Sequence, residues 1–291
     1  MAGPVNLTHP SEVRELLARI GLRPRRTLGQ NFLIDANILR ILLRTAGLHQ
    51  NEQVLEVGPG LGVLTEWLVR YAGRVVAVEK DPVLFEFLRG HFAETANLEL
   101  IHADILDLNI ERLLAGGITK VVANLPYAVG SRFLVDLFQA VAPPERIVVT
   151  VQREVARRLA AGPGAADYGL LGIIAQTAYS VRLVKDVSPT CFLPPPEVRS
   201  AIVEMIRLAE DREVRPENRA ALLRLLQGAF SRRRKQLAPF LKAHAGLSDA
   251  DQARLFDLLG IEPRARPEDL SPEQWIRLAN DIGAFPLDPR R

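Results

Sequence analysis

Cysteine is almost missing from this chain of 291 residues. Cys191 stands alone, which excludes an internal disulfide and any cysteine-built metal cluster and suits a reducing compartment. A buried, inert thiol is its expected state. The 5 histidines, His9, His49, His91, His102 and His244, are scattered without ligand spacing, so no metal site is expected. No apolar run approaches ~18 residues, and Met1–Pro10 has no charged start leading into an apolar core. Neither a membrane span nor export is expected, and the protein is read as cytoplasmic. Lysine supplies only 5 of the 37 basic residues, so part of the arginine content reflects general composition and not a binding surface. With a net charge of +3, attraction to a polyanion has to come from local clusters, because the global field is weak. There is no internal repeat and no low-complexity segment.

Apolar residues make up 48% of the chain, enough for buried cores in about two domains. Ser11–Gly21 has the spacing of an amphipathic helix. Asp35 can cap a second helix, with Ile38, Leu39, Leu42 and Leu43 on one face and Gly47 as its stop. From Gln53 to Gln152 short β-rich runs alternate with helical spacing. The expected strands are Gln53–Val57, Arg74–Glu79, Leu98–His102, Thr119–Ala123 and Arg146–Gln152; the expected helices are Leu61–Tyr71, Pro82–His91 and Gly130–Val141. This alternation predicts an α/β fold with a parallel sheet and helices on both faces. Ser180–Val187 and Ser200–Leu208 are expected to finish the sheet as an antiparallel pair. The polar, acidic stretch Ala209–Asn218 predicts a boundary, giving a domain over residues 1–208 and a smaller one over 209–291. Beyond it the chain reads as wholly helical, in Ala220–Phe230, Arg232–Ala245, Ser248–Leu259 and Ser271–Ile282.

Ligands of such sheets collect at the carboxyl ends of the strands. Glu56, Glu79, Asp104 and Asn124 all fall at or just past such ends. Gly58-Pro59-Gly60-Leu61-Gly62 forms a G-x-G-x-G turn between strand and helix, which places Glu56, Gly58 and Gly60 on a cofactor. Glu79, 23 positions after Glu56, can accept both hydroxyls of a ribose. NAD and S-adenosylmethionine both satisfy this much. The sequence shows no histidine or Tyr-Lys set for hydride transfer, and it does contain Asn124-Leu125-Pro126-Tyr127.

The lone pair of an exocyclic amine is conjugated into its base, so a catalyst has to hold the N–H bonds and turn the lone pair toward an electrophile. The Asn124 side-chain carbonyl is a neutral acceptor, and Pro126 frees the Leu125 carbonyl to be another. Tyr127 offers a flat face to the base. Alone, the tetrapeptide is also an ordinary turn leaving a strand; beside the glycine turn it predicts methyl transfer from S-adenosylmethionine to an amino group. Asp104 can accept from the cofactor's adenine or cap a helix. Phe192 can stack on a base or anchor its proline loop in a core. Arg23, Arg25 and Arg26 make one basic run, and Arg232, Arg233, Arg234 and Lys235 another. Both suit phosphates, although a charge run is most often a solvated face.

Six motifs stand in a known family's order: Arg26–Leu33, the glycine turn, Ala103-Asp104, the Asn124 tetrapeptide, Phe192–Ser200 and Phe230–Leu237. With these the chain resembles the ribosomal RNA small-subunit adenine dimethyltransferases over nearly its whole length. The resemblance implies a Rossmann-like S-adenosylmethionine-dependent methyltransferase domain and a smaller C-terminal all-helical domain that binds RNA. It also implies dimethylation of the N6 amino groups of two adjacent adenines near the 3′ end of 16S rRNA, within the immature small subunit, by a monomer. Gln30, Asn31 and Leu33 would then cover the cofactor and Gly58 contact it, Glu79 bind its ribose and Asp104 its adenine. Asn124 and Leu125 would hold the target amine, with Tyr127 and Phe192 sandwiching the base. Two places depart from the usual pattern, Glu197 and Arg199 in the proline loop and Ala128 after the tetrapeptide. The alternatives are a 23S rRNA adenine methylase, a non-catalytic assembly factor and, weakest, a nicotinamide oxidoreductase.

Overall fold

Runs rich in valine and isoleucine have no wet face to alternate with a dry one, and here they become strands covered on both sides. The computed structural model describes residues 5–25, 29–209, 214–231 and 235–282. The chain opens with α1 (Pro10–Arg19), the short β1 (Phe32–Leu33) and α2 (Ala36–Ala46). It continues through β2 (Gln53–Val57), α3 (Thr65–Tyr71), β3 (Arg74–Glu79), α4 (Pro82–His91) and β4 (Leu98–His102). Next come α5 (Ile110–Leu114), β5 (Lys120–Asn124), α6 (Gly130–Gln139), β6 (Arg146–Gln152), α7 (Arg153–Ala160) and α8 (Leu170–Gln176). The last strands are β7 (Tyr179–Val187), the short β8 (Phe192–Leu193) and β9 (Ser200–Arg207). The remaining helices are α9 (Arg219–Ser231), α10 (Leu237–Ala245), α11 (Asp249–Leu259) and α12 (Pro272–Ile282).

The main sheet has the order β4-β3-β2-β5-β6-β9-β7. Strands β2 to β6 are parallel, with Leu55 opposite both Val76 and Val121, and β9 runs antiparallel to β6. Val54, Val75, Val122 and Val148 join the core under α2 and α3. The residues between them, Leu55, Val121, Ile147 and Val149, are equally buried on the opposite face. The strand order reverses between β2 and β5, so the loops leaving these neighbours part and open a crevice at their carboxyl ends.

Local chemistry fixes the flanking helices. Asp35 caps α2 by accepting from the Asn37 and Ile38 amides, and Gly47 ends it in the left-handed region at φ 53°. The buried Lys120 that opens β5 donates to the Ala46 and Gly47 carbonyls at 3.0 and 2.6 Å and pairs with Glu52 at 2.8 Å. One lysine thus satisfies carbonyls at the end of α2 that no helical N–H reaches.

The compact units of the chain are not cut at 208/209. One comprises Met1–Ala156 with Arg182–Ile206, the other Arg157–Val181 with Arg207–Arg291. The expected boundary misses Arg157–Val181 because α8, Leu-Leu-Gly-Ile-Ile-Ala-Gln, is an apolar run too short to show a helical period. Within the second unit the Tyr168 hydroxyl donates to the Leu270 carbonyl at 2.7 Å, and α8 packs with α9 and with α12, whose Trp275 is fully buried. Apart from strand ends at Tyr179–Val181 and Arg207, the regular elements described in this unit are helices and short helical turns.

Candidate active site

The turn after β2 sets the floor of the site. Gly58 and Gly60 have φ of 68° and 62°, where a side chain is strained. A Cβ on Gly58 would stand 2.7 Å from the Pro126 ring, so the glycine turn and the Asn124 loop pack directly on each other. Glu79, closing β3, accepts from the Gly60 amide at 3.2 Å and the Asp81 amide at 2.8 Å. A carboxylate has about four acceptor positions, so acceptor capacity remains for a ligand's hydroxyls. Burial pushes the Glu79 carboxyl above its ordinary range, against the hydrogen bonds from Asp81 and Gly60.

Glu56 is fully enclosed, and its carboxylate accepts from the Thr65 hydroxyl at 2.7 Å. Burial pushes its carboxyl up to about 8; the Thr65 hydrogen bond opposes this and neighbouring Glu79 adds to it. Asp104 caps the short turn Ile105–Asp107 through the Leu106 amide and pairs with Lys80 at 2.6 Å, which holds its carboxyl below the usual range. Asp104 also lines the cavity.

The raised Glu56 group makes a stability prediction. A carboxyl at about 4.5 when unfolded and about 8 when folded leaves the native state holding an extra proton between those values. Its contribution is complete below pH about 4.5 and is lost as pH rises through about 8. Glu56→Gln without cofactor should therefore gain stability over wild type progressively across that window. Urea unfolding at several pH values checks this, and a constant gap would contradict the assignment.

Asn124 ends β5, and its Nδ2 donates to the Asn31 carbonyl at 3.2 Å. Its Oδ1 is buried with no hydrogen-bond partner. Asn124, Thr150, Gln252 and Trp275 are the described residues with such orphaned side-chain atoms, and of these Asn124 alone lines the cavity. The loop that follows is held by the Val129 and Gly130 amides, which both donate to the Pro126 carbonyl at 3.1 Å. Tyr127 is half-buried, its hydroxyl 2.5 Å from Ser200 Oγ.

One cavity brings together Gln30, Asn31, Leu33, Glu56, Gly58, Gly60, Glu79, Asp104, Asn124 and Pro126. Leu125 and Tyr127 border a shallow depression shared with Pro126, Ser131 and Gln152. Phe192 is a correction. Its ring is only 2% exposed, because β8 pairs with β1 and sets Phe192 opposite Leu33, within the core of Ile38, Leu39 and Leu42. It anchors the proline loop and offers no face to a base. Cys191 is half-buried and donates to Asp35 at 3.5 Å, so its thiol is not the fully buried group expected.

Arg23, Arg25 and Lys235 are exposed. Arg26, Arg232, Arg233 and Arg234 lie outside the described residues. Sequence reasoning missed Asp81 and Lys80, which line the cavity beside Glu79. Asp81-Pro82 is a helix start, with the cap followed by proline at the first helical position, and that signal was legible.

A parallel sheet with a glycine turn after β2, acidic residues at the ends of the next strands and an Asn-Leu-Pro-Tyr loop across the crevice defines a Rossmann-like methyltransferase that uses S-adenosylmethionine. More narrowly, the chain belongs to the ribosomal RNA adenine dimethylase family, whose profile it matches over residues 21–283. It is 42% identical over 268 residues to ribosomal RNA small subunit methyltransferase A of Deinococcus radiodurans, covering 91% of this chain and 87% of that one. To the protein of the same description from Lachnoclostridium phytofermentans it is 36% identical over 283 residues, covering 95% and 97%. A dimethyladenosine transferase from Plasmodium falciparum shares the fold with a TM-score of 0.73, at 23% identity over 86% of this chain and 97% of that one. The 23S rRNA methyltransferase ErmE aligns with a TM-score of 0.66 at 26% identity, covering 87% and 100%. Among the described residues no helix is long and apolar enough to cross a membrane.

Proposed function

We propose that this protein dimethylates the N6 amines of two adjacent adenines in the 3′-terminal hairpin loop of 16S rRNA, acting as a cytoplasmic monomer on the immature small subunit. The observation that carries this reading is the buried, partnerless Asn124 Oδ1 at the edge of the cavity. The residues present suit the cofactor: glycines at positive φ, one of them too close to Pro126 to carry a side chain, and Glu79 with acceptor capacity to spare. When bound, S-adenosylmethionine supplies a methyl group on a positively charged sulfur. Glu79 takes the ribose hydroxyls and Asp104 the adenine amino group, while Gln30, Asn31 and Leu33 cover the cofactor and exclude water.

Asn124 Oδ1 and the Leu125 carbonyl accept the two N–H bonds of the target amine and turn its lone pair along the line of attack. Both acceptors are neutral, so neither stabilises the cationic sulfur before transfer. The amine proton leaves after methylation, to solvent, and no general base is needed. The adenine leaves its stack at a cost of a few kcal/mol, and packing on Tyr127 offsets about 1–3 kcal/mol of it. Tyr127 is braced for this by Ser200.

Identities of 36–42% to small-subunit methyltransferases, against 26% to ErmE, favour 16S over 23S rRNA. Labelled S-adenosylmethionine offered with separated subunits tests the choice: label confined to large-subunit RNA would contradict it. Phosphates position the enzyme without reading bases. Arg23→Glu with Arg25→Glu should therefore weaken binding to immature small subunits and lower the log–log salt slope by about 2, at ~0.9 for each phosphate no longer neutralised. Affinity for S-adenosylmethionine should stay the same. An unchanged slope, measured by filter binding from low to moderate salt, would return this run to a solvated face.

A further inference from the structure

We propose that Asp81 is a positioning residue for methyl transfer: through Gln30 it holds the strap Gly29–Leu33 so that the Asn31 carbonyl keeps the Asn124 oxygen turned toward the target amine. The inference rests on the proposed role of Asn124. A side-chain amide presents an acceptor at one end and a donor at the other, and a half-turn about its terminal bond exchanges them. With the donor end toward the amine, the N–H bonds would meet N–H bonds and the lone pair would not be turned. A carbonyl only accepts, so the Asn31 carbonyl, 3.2 Å from Asn124 Nδ2, forces the oxygen to the other side.

Where that carbonyl sits depends on the strap. Downstream, the strap is fixed by the pairing of β1 with β8 and by the Ile34 amide donating to the Cys191 carbonyl at 2.9 Å. Gly29, at φ 65°, lies so close to the catalytic loop that a Cβ there would stand 2.9 Å from the Tyr127 amide nitrogen. At the upstream end Gln30 makes the tie. Its Nε2 donates to Asp81 Oδ2 at 2.9 Å, and its Oε1 accepts from the Arg25 amide at 2.8 Å. Asp81 is itself immobile: it is 4% exposed, its Oδ1 caps α4 through the Val83 and Leu84 amides, and its own amide donates to Glu79. A continuous set of hydrogen bonds thus runs from Glu79 through Asp81 and Gln30 to the strap, and from Asn31 to Asn124.

The polarity of the Asp81–Gln30 bond gives a test. Asp81→Asn keeps the oxygen that caps α4 but sets two amide donors face to face; turning the Gln30 amide over would only move the clash to the Arg25 amide. Gln30→Glu sets two carboxylates face to face. Combining Asp81→Asn with Gln30→Glu restores the bond with its direction reversed, because the introduced carboxylate can accept from both the introduced amide and the Arg25 amide. Each single variant should lower kcat tenfold or more at saturating S-adenosylmethionine and small-subunit RNA, with KM for RNA changed less than threefold. The double variant should return kcat to within threefold of wild type. Deuterium exchange of the peptide covering Gly29–Leu33 should rise in both single variants and fall again in the double.

If Asp81 served only as the cap of α4, which Asp81→Asn preserves, exchange of the Gly29–Leu33 peptide in Asp81→Asn would match wild type; that result overturns the proposal. A double variant no better than the singles also overturns it. Wild type that fails to methylate small-subunit RNA would instead refute the reading of Asn124 on which the strap's role depends, which separates the two failures.

Discussion

Replacing Asn124 with alanine is expected to slow methyl transfer by a factor on the order of 10²–10³, the scale for removing one preorganised polar partner of a reacting group. Affinity for S-adenosylmethionine should stay within a few-fold of wild type. The two expectations separate because the orphaned Oδ1 has no partner until an amine arrives, whereas Nδ2 already donates to the Asn31 carbonyl. An interaction formed mainly in the transition state lowers kcat and kcat/KM together. Asn124→Asp is a sharper variant. It keeps the shape but adds charge, which stabilises the sulfonium before transfer and raises the barrier, so transfer should fall while cofactor binding holds or tightens. Single-turnover transfer read beside calorimetry checks both; near-normal turnover in Asn124→Ala would remove the residue from the chemistry.

Glu79→Ala should weaken S-adenosylmethionine binding by roughly 1–3 kcal/mol, the scale for losing a charged acceptor. The carboxylate does two tasks, and its loss strikes both. It is the acceptor left for ribose hydroxyls, and it fixes the Gly60 and Asp81 amides that shape the cofactor's floor and rim. Glu79→Gln keeps one acceptor and should fall between wild type and alanine. Calorimetry giving an unchanged affinity for Glu79→Ala would place the ribose elsewhere.

The inner parallel strands were legible because burial on both faces leaves continuous apolar runs bounded by turns, and the partly exposed edge strand β4 because it is a short β-rich run between turns. Gln53–Val57, Arg74–Glu79, Leu98–His102 and Arg146–Gln152 fall where the sequence puts them, and β5 is shifted by one residue. Asp35 and Gly47 were readable as helix ends because capping is a local interaction. The helix Leu61–Tyr71 begins later than its spacing implied, at Thr65, since the glycine turn extends further. What resisted reading was nonlocal. The two-residue pairing of β1 with β8 has no periodic signal, yet it decides that Phe192 is core and not a stacking face. Arg157–Val181 joins the helices of the second unit through tertiary packing that no boundary composition announces. In the site, residue identity showed the acceptors at Asn124 and Glu79, but the orientation of the Asn124 amide depends on a carbonyl 93 positions earlier.

The most direct measurement is mass spectrometry of nuclease fragments from 16S rRNA after immature small subunits are incubated with this protein and methyl-labelled S-adenosylmethionine. The account predicts two labelled methyl groups on the N6 of each of two adjacent adenines in the 3′-terminal hairpin loop, and none with Asn124→Ala at matched times. Unlabelled 16S fragments from wild type, or the same label with Asn124→Ala, would contradict it.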